Sequence, residues 1–457
     1  MTLPDPLAVQ RALRLTDRLS AAGIRGIALT WVDNAGVTRV KTIPIDRLEY
    51  TVTWGIDMSP VFDVFLIDDS VTTSRHIAGP DGDLRMFPDL DRLTELAAQP
   101  GWAWAPVDRY TQEREPYAAC QRGFARRMVK RAAERGLTLK VGFETEWFCG
   151  EDTAGGEPVP ACTGPAYGMT RVLELSDYLD ELYEAFADQG VEVLQIHPEY
   201  APGQLAISTG YDDPVTAADT VVLVRQTIRA VAGHFGLRVS FAPVVVPGQA
   251  GNGGHLHLSL WRNGENLCGG GDGPYGMRGE GEAFLAGVLD ALPALCAVGA
   301  PGVASYLRLI PSHWAGAFQC WGRENREAAL RFVTSATSSV GTASAEIKCF
   351  DASANPYLVV GAVIAAGLAG LDAGLRLPPE LTGDPALLSE PDLLARGIRR
   401  LPASLPEALE HLERCAFLRD AMGDPLFQAF TAVRRGEIAL FDGAAPDEIT
   451  AATRWRY

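Results

Sequence analysis

The sequence predicts an α+β fold in two parts, a small N-terminal domain over residues 1–113 and a larger domain over 114–457. Three observations carry this. Up to Glu113 the β-rich runs are short and joined by turn residues, as in a hairpin-built sheet. From Leu137 onward, longer strand-like runs alternate with long helical ones. Several of these later strands carry acids, histidines or arginines at alternate positions, and side chains alternate across a strand, so such residues share a face.

Residues 6–22 show helical periodicity (Leu7, Val9, Leu13, Leu15, Leu19) that stops near Gly23. Residues 24–32 and 37–43 are β-rich and flank Asp33, Asn34, Ala35 and Gly36, which suit a hairpin turn. Residues 61–67 form a third β-rich run, and 102–106 a short strand. Residues 120–136 predict a helix whose basic face (Arg122, Arg126, Arg127, Lys130, Arg131, Arg135) reads as solvated surface. Residues 141–148 predict a strand closed by Gly150, with Glu144 and Glu146 on one face and Phe143 and Trp147 on the other. A helix from Ser176 to about Gln189 and a strand over 191–200 follow. Asp213 and Pro214 supply a cap and first turn for a helix running to about Phe235, before Gly236. Residues 237–246 and 255–261 read as strands, 284–298 and 358–371 as helices, and 404–412 opens the C-terminal helices.

Composition narrows the function classes. With 47% hydrophobic and 21% charged residues, the chain is ordinary globular protein. A formal charge of −17 argues against nucleic acid or an anionic membrane as the main partner, but leaves room for a locally basic site. No apolar run is expected to span a membrane, since the longest candidate, 358–371, is short and rich in Gly and Ala. Residues 1–14 lack the apolar centre of a signal peptide. The eight cysteines are scattered without a CxxC pair, which fits reduced thiols. A cytoplasmic location is the expectation. The GxGxxG pattern at 271–276 contains Pro274 and opens no helix, so it lacks the context of a dinucleotide site.

Two carboxylates side by side, as in Glu144 and Glu146, repel unless something positive lies between them. A divalent metal such as Mg²⁺ is one answer; an acidic edge on a solvated sheet is another. Other segments share the design. His197 and Glu199 end a strand. His255, His257 and Ser259 share a face, as do Glu346 and Lys348. Arg323, Arg326 and Arg331 surround Glu324 and Asn325. Such a lining is costly to bury unless a metal, phosphates or a charged substrate compensates.

GFETEWF (142–148), HPEYAPGQ (197–204), GNGGHLHLSLW (251–261), SYLRLIPSHWAG (305–316), RENREAALR (323–331) and EIKCFDASANPYL (346–358), in that order, resemble the signature blocks of the glutamine synthetase superfamily. The resemblance spans about residues 20–420. More closely, HPEY, the NREAALRF block and the Trp of SHWAG are similar to glutamine synthetase-like ligases of actinobacteria, which join glutamate to polyamines or ethanolamine. The resemblance implies an N-terminal β-grasp-like domain and a catalytic domain whose antiparallel sheet, flanked by helices, forms a funnel. It implies a homo-oligomer, a dodecamer of two hexameric rings with active sites between subunits. It implies Mg²⁺ or Mn²⁺, with ATP, glutamate and a small amine or polyamine as substrates. One metal would be held by Glu146 and Glu199, the other by Glu144, His255 and Glu346. Gly251 falls in the glutamate-binding loop, Arg308 matches the arginine that grips the substrate carboxylate, and Lys348 lies on the substrate side. Arg326 and Arg331 match arginines that meet the transferring phosphate. His257 and Ser259 fall on the nucleotide side. Asp33 matches an acid that reaches in from the adjacent subunit to orient the attacking amine.

Departures from the family pattern sharpen the expectation. Trp314 stands where glutamine synthetases carry the glutamate that accepts the ammonium proton, so ammonia is disfavoured as acceptor. The Trp314 face suits an alkylammonium group, or the ring merely packs. Ala206 stands where a third carboxylate ligand is expected. Ser344 and Lys348 replace arginines, and Arg399 stands where one class carries a modified tyrosine. The chain is thus expected to be an ATP-dependent ligase that joins the γ-carboxylate of glutamate to an amine through γ-glutamyl phosphate, releasing ADP and phosphate. An ordinary ammonia-using synthetase and a catalytically impaired regulatory homologue are the alternatives.

Overall fold

Two sheets organise the chain in the computed structural model, which describes residues 6–151, 153, 157–334 and 340–457. The first has six strands: β1 (Gly26–Val32), β2 (Thr38–Pro44), β3 (Ile56–Met58), β4 (Leu84–Pro88), β5 (Thr94–Glu95) and β6 (Trp102–Tyr110). Their order is β2-β1-β6-β4-β3, with β5 on β6. The β1–β2 hairpin forms as expected, Val32 pairing with Thr38. Gly36 turns it at φ 87, and a Cβ there would lie 2.1 Å from the Ser353 carbonyl, so the turn is plugged tightly against the segment around Ser353.

Residues 61–67 are not the expected strand. Pro60–Val64 is a 3₁₀ turn, started by Ser59, whose hydroxyl accepts the Val61 N–H at 3.3 Å. Proline at its head fixes φ and removes a ladder donor, which overrides the β-rich composition. The short helix Leu48–Trp54 was not legible in the sequence.

The second sheet has eleven strands: β7 (Thr138–Glu151), β8 (Val159–Pro160), β9 (Val193–Pro198), β10 (Gln204–Thr209), β11 (Arg238–Ser240), β12 (Gly254–Arg262), β13 (Glu265–Asn266), β14 (Phe318–Arg323), β15 (Ala328–Val333), β16 (Ser344–Ile347) and β17 (Arg399–Arg400). The order is β17-β14-β15-β16-β12-β7-β10-β9. Every pair is antiparallel except β14 with β15. The expected strand over 237–246 stops at Ser240. Beyond it Pro243 cannot donate to a ladder, and its carbonyl instead accepts the Asn252 N–H at 2.9 Å. The architecture is α+β.

Helices cover the apolar side of this sheet. Asp213 caps Pro214–His234 as expected, its carboxylate accepting the Val215 and Thr216 N–H groups. Gly279–Gly299 and Pro356–Ala373 pack against each other so closely that a Cβ on Gly287 would lie 2.5 Å from the Ala366 carbonyl. Both helices are long and apolar enough to cross a membrane, which corrects the expectation that no run is. Their most apolar windows are 89% and 78% buried inside the protein, as befits core helices apolar on all sides.

The helix Gln121–Ala133 also departs from expectation. Its face is not wholly solvated: Arg122 is buried and bonds Asp219, Asp108 and Asp89.

Candidate active site

The register of β7 with its neighbours builds the site. Across antiparallel strands, residues directly opposite share a face. Glu144 lies opposite His255 on β12 and Ser208 on β10. His257 lies opposite Glu346 on β16, and Glu346 opposite Arg331 on β15. One face of five strands therefore gathers acids, imidazoles and a guanidinium. Phe143 and Trp147 point to the other face and are buried in the apolar core, as the alternation requires.

Glu346 sits between two cations: Arg331 Nη1 donates to it at 2.9 Å and Lys348 Nζ at 3.1 Å. Burial opposes its ionisation, but Lys348, His257, His255 and Arg331 together hold its pKa well below the usual range. Partial burial also opposes ionisation of Glu144, but the imidazoles of His257 and His255 hold it down to about 2. Glu199 goes the other way: burial and the neighbouring Glu146 push it up to about 8. Its Oε2 accepts from Tyr167 Oη at 2.8 Å. Glu146 accepts the Gly253 N–H at 2.7 Å and Gln204 Nε2 at 3.1 Å.

The donors fit a hard divalent cation. Ligand atoms of Glu144, His257 and Glu346 lie within 4.8 Å of one another, and so do those of Glu144, His197 and Glu199. The grouping differs from the expected one. His255, expected beside Glu144 and Glu346, points its Nε2 at Glu146 Oε1, 3.1 Å away, while His257 takes the place 3.7 Å from Glu144. The reason is register, since His257 is the residue opposite Glu346. His255 Nδ1 is buried without a partner.

The acids open into two adjoining chambers of about 620 and 80 Å³ that share Glu144, Tyr167, Glu199, Trp314 and Arg326. The larger adds His257 and Arg331 and has room for a nucleotide-sized ligand. The smaller adds Gly251, His255, Arg308 and Lys348. Two buried cations make it suited to a carboxylate. Gly251 is required there, because a Cβ would lie 2.1 Å from the Pro243 carbonyl.

Three expected positions need comment. Ser259 lines neither chamber; its hydroxyl accepts Trp261 Nε1 at 2.8 Å. Ala206 lies opposite both Glu146 and His197, so the methyl faces the acids where a carboxylate was expected. Asp33 lines neither chamber of its own chain. Its carboxylate is wholly buried, accepting the Val37 N–H at 2.9 Å and Arg39 Nε at 2.7 Å. The hairpin turn that carries it is held by Asn355 and Arg434, which bond the Asp33 and Asn34 carbonyls. Sequence reasoning missed Tyr167, Tyr200 and Gln204 as site residues; the last two lie in the HPEYAPGQ block.

Residues 118–451 match the family described as "Glutamine synthetase, catalytic domain". The chain is 54% identical to the gamma-glutamylpolyamine synthetase GlnA3 of Streptomyces coelicolor, over 99% of this chain and 98% of that one. It is 31% identical to the glutamine synthetase of Halobacterium salinarum over 94% of each. Among solved structures, one described as a novel glutamine synthase homolog superposes with a TM-score of 0.84 at 32% identity, covering 95% of this chain and 99% of that one. A GmaS/ADP complex superposes with a TM-score of 0.82 at 26% identity, covering 94% and 97%. The fold and site define a ligase. The chain belongs to the glutamine synthetase family.

Proposed function

We propose that this protein is an ATP-dependent ligase that joins the γ-carboxylate of glutamate to a polyamine through γ-glutamyl phosphate, releasing ADP and phosphate. The observation that carries it is the convergence of Glu144, Glu199, His257, Arg331 and Arg308 on one two-chambered cavity, with buried Glu346 bonded to Arg331 behind its wall. The name of the Streptomyces relative supports the acceptor class, and so does Trp314 in place of the family's proton-accepting glutamate. Ethanolamine is the second choice of acceptor.

In this reading Arg308 and Lys348 bind the glutamate carboxylate in the smaller chamber, with Gly251 allowing close approach. The larger chamber takes ATP, with His257 on its wall. Arg326 and Arg331 offset charge on the transferring phosphoryl group. Glu144 and Glu346 with a β12 imidazole would hold one Mg²⁺ or Mn²⁺, and Glu146 and Glu199, aided by His197, a second. Bound there, such ions would neutralise phosphate charge and fix its orientation. Trp314 lies on the wall shared by both chambers, where an amine must enter, and the enclosing walls limit hydrolysis of the acyl phosphate by water. The division at about residue 113, the β-grasp-like first domain, assembly into two hexameric rings and a cytoplasmic location belong to the same proposal.

One assay tests it. Purified protein with glutamate, ATP and Mg²⁺ is given ammonia, ethanolamine, putrescine or spermidine, and phosphate release and product mass are measured. Polyamine-dependent phosphate release with a γ-glutamyl product is expected. Turnover with ammonia alone would make it an ordinary synthetase, and none with any amine would refute a ligase.

A further inference from the structure

Trp314 does not stand alone at the cavity mouth. Its ring meets that of Tyr200 edge to face, centroids 6.1 Å apart and planes at 85°, and both rings are about half exposed. Trp314 sits at φ 54, a backbone region that bulky residues rarely adopt. A carboxylate meets it there: Glu327 Oε1 accepts the Trp314 N–H at 3.0 Å. Two residues earlier, Ser312 donates to Asp384 Oδ2 at 2.8 Å. Glu327 Oε2 takes no hydrogen bond from a described residue, and no described Lys or Arg pairs with Glu327 or Asp384. Burial raises the Glu327 pKa and Asp384 adds to the rise, against the Trp314 N–H, His313 and Lys348. Neither carboxylate lines the two chambers, whereas Trp314 lines both. An aromatic corner at the mouth is thus backed by two acids that pair with no Lys or Arg among the described residues.

We propose that Tyr200, Trp314 and Glu327, with Asp384 behind, form a subsite for the second ammonium of a diamine or polyamine. The proposal rests on the amine-ligase reading and adds how acceptors are told apart. The reacting amine lies in the shared part of the cavity, near Tyr167 and Glu199. The methylene chain runs out between the two rings, which attract both alkyl groups and cations. The distal ammonium meets Glu327. Ammonia, ethanolamine and simple alkylamines have no second cation to place there.

The test compares kcat/KM for putrescine with that for butylamine, which has the same carbon chain and one ammonium fewer. The native enzyme is expected to favour putrescine. Glu327→Gln keeps an oxygen for the Trp314 N–H but loses the charge, and should cut that preference about five- to tenfold. Tyr200→Leu, at an exposed position, should cut it about threefold; thermal melts establish that each variant is folded. A preference unchanged in both variants, or an equal fall for both amines, would overturn the subsite. If the native enzyme turns over ammonia and neither amine, the ligase reading itself is wrong and the subsite falls with it.

Discussion

Replacing Arg122 by Leu tests the most heavily bonded ion cluster in the chain. The Arg122 side chain is 4% exposed and forms four hydrogen bonds: Nε and Nη2 to Asp219 at 2.9 and 2.8 Å, Nη1 to Asp108 at 2.7 Å, and Nη2 to Asp89 at 2.7 Å. Asp89 follows β4, Asp108 lies on β6, Arg122 on the helix Gln121–Ala133, and Asp219 on the helix Pro214–His234. One guanidinium therefore ties the first sheet to the helices of the second. Asp89 and Asp108 keep Arg126 when Arg122 is lost. Asp219 does not fare so well: it keeps Tyr357 Oη at 2.7 Å and Arg92 Nε at 3.6 Å, but loses its two-point contact while remaining 1% exposed.

Breaking a buried pair by removing one partner costs about 3–5 kcal/mol. The remaining hydrogen bond from Tyr357 argues for the lower half of that range. Urea denaturation followed by tryptophan fluorescence should show Arg122→Leu less stable by about 3–4 kcal/mol. Burial already raises the Asp219 pKa even with Arg122 opposing it. A carboxyl whose folded pKa is raised contributes stability at low pH that is lost as pH rises, so the defect should shrink on acidification as Asp219 takes a proton. Adding Asp219→Leu removes the stranded charge, and the double variant should be more stable than the sum of single losses by about 1–3 kcal/mol. A loss below about 1 kcal/mol, or simple additivity, would refute the claim that this cluster ties the first sheet to the helices of the second.

Other outcomes follow from the same contacts. Gly287→Ala forces two core helices apart at backbone, not side-chain, contacts and should cost about 1–3 kcal/mol, read as a lower melting temperature. Glu437 is raised to about 7, chiefly by burial, with Arg434 opposing and Asp33 and Asp68 adding; its stability contribution is complete below 4.5 and lost as pH rises through about 7. Denaturation midpoints should therefore fall across that window, and Glu437→Gln should flatten the slope. Glu144 belongs to both candidate ligand groups, so Glu144→Gln should weaken Mn²⁺ binding measured by calorimetry more than about tenfold.

What the sequence made legible was local. The face shared by Glu144 and Glu146 follows from strand alternation, and the helix after Asp213 from its cap, so both appeared where expected. Which imidazole meets which carboxylate was not legible, because His255 and His257 lie on the same face and only the pairing of β12 with β16 distinguishes them. The role of Asp33 came from the resemblance alone, and nothing local in the sequence showed that Ser353, Asn355 and Arg434 would cover its turn. The basic helix failed at Arg122 because the acids that bury it come from three distant segments. The helices Gly279–Gly299 and Pro356–Ala373 exceeded the expected apolar runs at both ends, since Gly and Ala break a hydropathy pattern but permit the close packing seen at Gly287.

Register also explains how this site accommodates Ala206. Ala206 faces Glu146 on one side and His197 on the other. A fourth carboxylate there would join Glu144, Glu146 and Glu199, of which Glu199 is already pushed up to about 8 by burial and Glu146. Like charges in a buried cluster raise one another's pKa, so another acid would gain little negative charge at neutral pH without a tightly held cation. His197 stands in reach instead, its Nδ1 3.4 Å from Glu199 and its Nε2 3.9 Å from Glu144. A neutral imidazole can ligate without adding charge. The strand pairing that sets Ala206 among these acids thus also brings a nitrogen donor to them, and the pocket keeps a ligand set for a divalent ion.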